Sequence, residues 1–223
     1  MRHLFRGVFI FLIFNCAREH KSISEQEIFA KEWIENTIKA SDPNTLDKVI
    51  YSTRQADGSY ITQINATHTD FHVYFSFSQN VQIPASRSAE TGWDIAFNRY
   101  KISTNSGKTN ELGKGGACQS IFSSLKEVAL SKLSTHGCAD NQFTIDSVVS
   151  GQGVGGTGVE FVGNSLLSNW YNYTIGNLTS KNLVYIIRSG GDSNKYFALV
   201  VLGYYSSAGT SGYPSFQWKS ISD

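Results

Sequence analysis

The stretch GWDIAFNRYK, residues 92–101, decides how the rest of the chain is interpreted. Trp93, Ile95 and Phe97 alternate with small or polar residues, which is the period-two pattern of a strand with one apolar face. The stretch FHVYFSFS, residues 71–78, alternates in the same way and predicts another strand. A strand alone does not require a Trp-Asp pair at its start or an Asn-Arg-Tyr run at its end, so these residues need a separate explanation.

Strand patterns continue to the end of the chain, in QFTIDSV, GVEFVG, NLVYIIR, KYFALVVLGYY and FQWKSI. Turn-forming runs rich in Gly, Asn and Ser separate them. Short strands at this spacing predict a mostly β protein with antiparallel sheets, arranged as a sandwich or barrel. Residues 182–188 and 196–205 are apolar on both faces, so we expect them at the centre of a sheet.

Two helices are also expected. Ser24 and Glu27 have the spacing of a capping box, and an amphipathic pattern follows to about residue 40. In CQSIFSSLKEVALSKLS, residues 118–134, apolar residues recur at helical spacing and predict a short second helix.

The N-terminus has the features of an export signal. Residues 1–15 combine two arginines with a short apolar run that is too short to span a bilayer, so we expect a signal peptide. Cys16 stands where a bacterial lipoprotein is acylated, although Phe14 departs from the usual small residues before that cysteine. These features predict a lipidated tether over residues 16–24 and a single domain over residues 25–223. Ordinary signal cleavage, with Cys16 free or removed, is the alternative.

Cys118 and Cys138 are the two other cysteines, and an exported protein folds where disulfides form. We expect them to be bridged, with two buried free thiols as the alternative. No cysteine or histidine spacing indicates a zinc site.

Charge and motifs exclude several classes of function. Without Arg2 and Arg6, 17 basic residues stand against 18 acidic ones, and no basic run is present, so nucleic acid is not an expected partner. The sequence contains no GxSxG, HExxH, P-loop or dinucleotide-binding motif in its proper context, so we expect no enzyme activity.

Three blocks in order, YFSFS (residues 74–78), GWDIAFNRYKISTNSG (residues 92–107) and GKGGAC (residues 113–118), resemble the HmuY family. A later block, residues 169–190, extends the resemblance over most of the chain after Phe71. It implies a mostly β, exported, lipid-anchored haem-binding protein at the bacterial outer membrane, facing the surface or the periplasm. The expected partners are haem and a TonB-dependent outer-membrane receptor, and the lipid anchor is the only expected contact with the membrane.

In such a protein the WD…RY strand is expected to be scaffold. Trp93 would be buried with its indole N–H bonded, and Asp94 and Arg99, which strict alternation puts on opposite faces, would each anchor a neighbouring loop. Asn98, where many family members carry histidine, is expected to make a surface or loop contact.

The family's iron ligands do not carry over to this sequence. The resemblance puts one ligand position at Ile175, which cannot bind iron, and the other in residues 151–158, which contain no His, Met, Cys or Tyr. This glycine-rich stretch is expected to be a hairpin loop. The remaining candidate ligands are His136, in an expected loop, and Tyr171 and Tyr173, because tyrosine also binds haem iron.

His68 and His72 are weaker metal candidates, since they share a face with Asp70 only if the strand begins at residue 68. Each of these candidates has an ordinary structural interpretation as an exposed loop residue or a strand-face aromatic.

The sequence therefore leaves two alternative functions. In the first, the protein captures haem without chemical change and passes it to the receptor. In the second, a surface lipoprotein of the same fold has lost haem ligation and binds another protein.

Overall fold

The computed structural model describes residues 48–134, 137–152 and 158–221. Within these ranges the chain is mostly β, as predicted, with every strand pairing antiparallel. The strands are β1 (Val49–Arg54), β2 (Tyr60–Ile64), β3 (Val73–Ser76), β4 (Val81–Ile83), β5 (Ile95–Asn98), β6 (Lys101–Thr104), β7 (Gly116–Gln119), β8 (Ser147–Gln152), β9 (Gly158–Gly163), β10 (Tyr171–Thr174), β11 (Asn177–Ser180), β12 (Val184–Arg188), β13 (Tyr196–Tyr205) and β14 (Ser211–Ser220).

The signal peptide, Cys16, the tether and the N-terminal helix all lie outside the described residues and stay predictions. In the described part of the chain the helical elements are single 3₁₀ turns. No helix in that part is both long enough and apolar enough to cross a membrane.

Two larger sheets and two ribbons make up the fold. One sheet has six strands in the order β1-β2-β14-β13-β12-β7, and the other has four in the order β4-β3-β5-β6. The two-stranded ribbons are β8-β9 and β10-β11. The predicted hairpin at the glycine-rich stretch is therefore present as the β8-β9 ribbon, with residues 153–157 outside the described residues.

The main core lies between the two larger sheets. Phe97 of the smaller sheet stacks on Phe216 of the larger one, with ring centroids 5.0 Å apart, and Phe77 packs against Trp218 at the same distance. Phe75, Phe97 and Phe216 are completely buried, so the sequence's alternating aromatic residues form the interior of a β-sandwich.

Strands β12 and β13 are buried on both faces, as their sequences predict. Leu199 of β13 faces the main core, whereas its neighbours Ala198 and Val200 belong to a second apolar cluster. Leu125, Val128 and Leu133 of the segment between β7 and β8 supply part of that second cluster. This segment covers the outer face of the larger sheet, which explains why its central strands lack a polar face.

The prediction of a helix in residues 118–134 is wrong. The segment contains two 3₁₀ turns, Leu125–Glu127 and Leu130–Lys132, with extended backbone at Val128 and Ala129 between them. Ser124 accepts a hydrogen bond from the Lys126 backbone N–H and caps the first turn. Alternating turns and extended steps bring the apolar side chains to one side, so spacing that resembles a helix arises without one.

A disulfide joins Cys118 and Cys138, with 5.6 Å between their Cα atoms, as predicted. Both cysteines belong to the second apolar cluster, and the bridge connects the covering segment to β7.

The GWDIAFNRYK stretch differs from its prediction in two respects. Strand β5 ends at Asn98, and Arg99, with φ +53°, turns the chain into β6. Ile95 and Phe97 enter the main core as expected, but Trp93 packs with Ile83 and Ala96 in a separate cluster. Residue 93 precedes the strand, so the alternation does not extend back to it.

Trp93, Asp94 and Arg99 of the signature stretch make scaffold contacts, as expected, whereas Tyr100 lies elsewhere, as described below. The Trp93 indole N–H donates to the Ser88 carbonyl over 2.8 Å, and the residue is completely buried. Asp94 accepts hydrogen bonds from the Phe77 backbone N–H and the Ser189 hydroxyl, at 2.8 and 2.6 Å. Arg99 donates to the Thr67 carbonyl over 3.0 Å. Asp94 and Arg99 thus each anchor a neighbouring loop.

Asn98 makes the expected loop contact, but from a buried position. Its amide donates to the carbonyls of Thr69 and Phe71, at 2.7 and 3.0 Å.

Two of the three glycines of the GKGGAC block, Gly113 and Gly115, are explained by one buried asparagine. A Cβ atom on Gly113 would lie 2.1 Å from the backbone oxygen of Asn105, and one on Gly115 would lie 2.7 Å from it. The Asn105 side chain in turn donates to the carbonyls of Glu90 and Trp93. Two of the blocks that resemble the HmuY family, residues 92–107 and 113–118, therefore meet at Asn105, where only glycine allows the loop to approach.

Candidate functional site

A groove of about 460 Å³ lies between the two ribbons, lined by residues of β8, β9 and β10. Its aromatic side chains are Tyr100, Phe161, Tyr171 and Tyr173, and Lys181 is its one basic lining residue in the described part of the chain. The volume falls within the range of small-molecule sites, and aromatic rings with a few polar groups are their usual lining.

Strand β10 places two tyrosines on the groove because alternate residues of a strand share a face. Tyr171 pairs with Ser180 of β11, and Tyr173 pairs with Leu178. The β10-β11 ribbon is fixed to β13 by a hydrogen bond from the Ser180 hydroxyl to the Val201 carbonyl and by one from the Leu178 backbone N–H to the Tyr205 hydroxyl. The tyrosines are therefore carried by a ribbon attached to the larger sheet.

The two tyrosines differ in their surroundings. Tyr171 packs on Trp170 and Tyr100, with ring centroids 5.0 and 5.9 Å away. Burial, with a smaller contribution from Tyr100, raises the pKa of Tyr171 and disfavours its phenolate. Tyr173 lies nearer the turn and is 42% exposed.

Cationic groups lie at the groove and behind it. Lys181 lines the groove, and its ammonium group donates to the Asn169 side chain. Lys101 lies over the ring of Phe161, with its Nζ atom 5.1 Å from the ring centroid, a cation–π contact. A ligand with an apolar ring and acidic groups on its edge suits this combination.

The two weaker histidine candidates lie elsewhere. His68 is exposed, and its Nδ1 atom accepts a hydrogen bond from the Asp70 backbone N–H. Burial, with a smaller contribution from Lys101, lowers the pKa of His72. Strand β3 begins at Val73, so the row with Asp70 that a longer strand would produce does not form. No group of three or more His, Cys, Asp or Glu residues suited to a metal ion occurs in the described ranges.

His136 lies outside the described residues, so its candidacy stays a prediction. Ile175 is the first residue of the two-residue turn between β10 and β11, with φ +42° and 97% exposure. Its side chain cannot bind iron, and its backbone conformation is one that β-branched residues rarely adopt.

Tyr100, Phe161 and Lys181 were not predicted as site residues. Tyr100 belongs to the signature stretch and Phe161 to a predicted strand, so each had an ordinary structural explanation in the sequence. Tyr100 and Tyr171 are separated in the chain by β6, β7 and the β8-β9 ribbon. Only the packing of distant elements makes them neighbours.

A second groove of about 700 Å³ lies at the opposite end of the smaller sheet, beside the β3-β4 turn. Its aromatic lining includes Phe77 and Trp218, which are only 2% and 3% exposed. This groove is larger, but of its four aromatic side chains only Tyr60 is more than 3% exposed, whereas all four in the groove between the ribbons are partly exposed. We therefore assign the candidate site to the groove between the ribbons.

Comparison with known proteins agrees with the sequence blocks. The profile of the family described as HmuY protein matches residues 68–218, more than half of the chain. This chain is a member of the HmuY family. A search of curated proteins found no match.

Solved structures show the same fold. A Bacteroides vulgatus protein, assigned as an HmuY-like heme-binding protein, matches with a TM-score of 0.53 and 18% identity, over 78% of this chain and 97% of its own. The apo HmuY analogue of Tannerella forsythia matches with a TM-score of 0.51 and 15% identity, over 78% and 99%. Apo PinO from Porphyromonas gingivitis matches with a TM-score of 0.52 and 13% identity, over 76% of this chain and 98% of its own.

Proposed function

We propose that this HmuY family member is an exported, lipid-anchored protein that captures haem without chemical change and passes it to an outer-membrane receptor. The observation that carries the proposal is the groove between the ribbons, where four aromatic side chains and Lys181 converge. Cys16 is the proposed lipidation site, and the membrane contact is the lipid alone.

The groove suits a porphyrin by its chemistry. Porphyrin faces are flat and apolar, so the rings of Tyr100, Phe161, Tyr171 and Tyr173 provide surfaces for stacking. The haem propionates are anionic, and Lys181 supplies a cation for one of them. Tyr171 and Tyr173 supply phenol oxygens, a donor type that holds haem iron in some proteins.

His136 remains a proposed alternative ligand. A neutral imidazole is a common haem ligand, so His136→Ala belongs in the same set of variants as the tyrosine substitutions.

The test is a titration of the purified chain with ferric haem, followed by absorbance at the Soret band. We expect a saturable one-to-one shift. Tyr173→Phe should weaken binding, while Tyr51→Phe, with the same 42% exposure but outside the groove, should leave it unchanged. A spectrum equal to that of free haem plus protein would reject the haem-carrier function.

The second function, binding of another protein by the same fold, is favoured by a different observation. Val148 and Val162, which pair across the β8-β9 ribbon and share one of its faces, are 46% and 39% exposed, and Ile175 is almost completely exposed at the tip of the β10-β11 ribbon. Exposed apolar groups that lie close together are typical of contact surfaces. If haem fails to bind, this surface becomes the leading functional site.

A further inference from the structure

The groove offers iron an unusual set of donor atoms. Among the described residues that line it, the groups able to bind iron are three phenols, on Tyr100, Tyr171 and Tyr173, and the amine of Lys181. The linker between β8 and β9 is Gly-Val-Gly-Gly-Thr and adds no histidine, methionine or cysteine.

Methionine, cysteine and histidine side chains would offer iron softer donor atoms than a phenol. Met1 is the single methionine of the sequence, and Cys118 and Cys138 are joined in the disulfide. His68 and His72 do not line the groove. His136 lies outside the described residues and enters the experiment below as a separate variant.

Of the three phenols, Tyr173 is best placed to bind as a phenolate. Tyr171 is packed between Trp170 and Tyr100, and its burial favours the protonated phenol. Tyr100 also contacts Tyr204, with ring centroids 6.4 Å apart, and so is part of the packed aromatic base of the groove. Tyr173 shares the face of Tyr171 but is 42% exposed, so its hydroxyl is the phenol that an incoming haem iron reaches most easily.

An oxygen donor determines which oxidation state the site prefers. A phenolate is a hard, anionic ligand, and it binds Fe(III) in preference to the softer Fe(II). Building on the proposed haem function, we propose that Tyr173 makes this groove selective for ferric haem and couples haem release to reduction. The Tyr173 hydroxyl loses its proton to water when the oxygen–iron bond forms. When an external one-electron reductant converts Fe(III) to Fe(II), that bond breaks and the phenolate regains a proton from water.

The selectivity has a second measurable consequence. Any preference for the ferric form must lower the reduction potential of bound haem by the same free energy, because binding and reduction are linked. For a one-electron couple, each tenfold preference corresponds to about 59 mV.

The experiment titrates the purified chain with three probes: ferric haem, ferrous haem under dithionite, and metal-free protoporphyrin IX. We expect ferric haem to bind at least about tenfold more tightly than ferrous haem. Tyr173→Phe should abolish that preference and leave the affinity for metal-free protoporphyrin unchanged, because that probe stacks in the groove without ligation. Tyr171→Phe is the matched control on the same strand face and should retain the preference.

The outcomes separate this inference from the proposed function. Equal affinity for ferric and ferrous haem, a preference that persists in Tyr173→Phe, or its loss in His136→Ala instead would each overturn the role of Tyr173 while haem binding stands. If none of the three probes binds, the haem function fails and the inference fails with it.

Discussion

The turn between β10 and β11 is a position where one substitution is expected to raise stability. Ile175 and Gly176 form its two-residue loop, with φ values of +42° and +79°. Positive φ at both positions is the type I′ geometry, for which Asn-Gly is the preferred sequence. The left-handed conformation costs an ordinary L-residue about 1–2 kcal/mol, and the branched Ile175 side chain has no special tolerance for it.

We expect Ile175→Asn to increase the free energy of unfolding by about 1 kcal/mol, since asparagine tolerates this conformation and the lost side chain was 97% exposed. In a domain of this size, that gain raises Tm by about 2–4 °C. Thermal unfolding followed by circular dichroism, with urea unfolding as a second measure, provides the assay.

Thr174→Asn is the matched control, because residue 174 lies one position earlier, inside β10. Asparagine is disfavoured in strands, so this variant should be slightly less stable than the parent. A Tm for Ile175→Asn that is unchanged or lower would refute the argument from backbone strain. If stability rises but a protein partner no longer binds, the isoleucine is retained for contact, as the second function requires.

Two further predictions concern the scaffold. Reduction of the Cys118–Cys138 bridge, which closes a loop over a sequence separation of 20, should cost about 3 kcal/mol of stability. Unfolding in urea with and without a reductant measures this cost, and a Cys118→Ala/Cys138→Ala double variant should not respond to the reductant. Burial raises the pKa of Asp94 in the folded state, although hydrogen bonds from Ser189 and from backbone N–H groups oppose the shift. The stability that this carboxyl contributes should therefore be greatest below about pH 4 and should decline as pH rises through the raised pKa. Asp94→Asn removes the titration, so the stability of the parent relative to this variant should fall as pH rises from about 4 through the raised pKa of Asp94. A difference that is constant or grows with pH would contradict the shift.

Local sequence patterns were sufficient to predict antiparallel sheets, the residues that enter the core and the strands that lie centrally in a sheet. The alternation in residues 71–78 put Phe75 and Phe77 in the core, and the two-sided apolar pattern of β12 and β13 placed them centrally. The Cys118–Cys138 bridge and the anchoring roles of Asp94 and Arg99 were also expected. These features depend on residue type and on sequence periodicity, and both are properties of the sequence itself.

The errors occurred where tertiary contacts override a local pattern. The apolar residues of the segment 118–134 recur at helical spacing, yet the segment lies along the surface of the larger sheet and leads to Cys138, which the disulfide holds beside β7. Trp93 was assigned to the face of Ile95 because alternation was extended past the start of β5. In both cases the periodicity is present in the sequence, but burial against a distant element determines the backbone conformation.

The sequence by itself determined a β-rich, disulfide-bonded scaffold of the HmuY type and two tyrosines in alternation, Tyr171 and Tyr173. Only the tertiary structure decided that these tyrosines face a groove, that Tyr100, Phe161 and Lys181 join them there, and that Tyr171 is more enclosed than Tyr173. The reason is physical: periodicity acts over a few residues, whereas a binding groove is formed by side chains from separate strands. Their proximity is set by the packing of whole sheets and ribbons, and no local pattern encodes it.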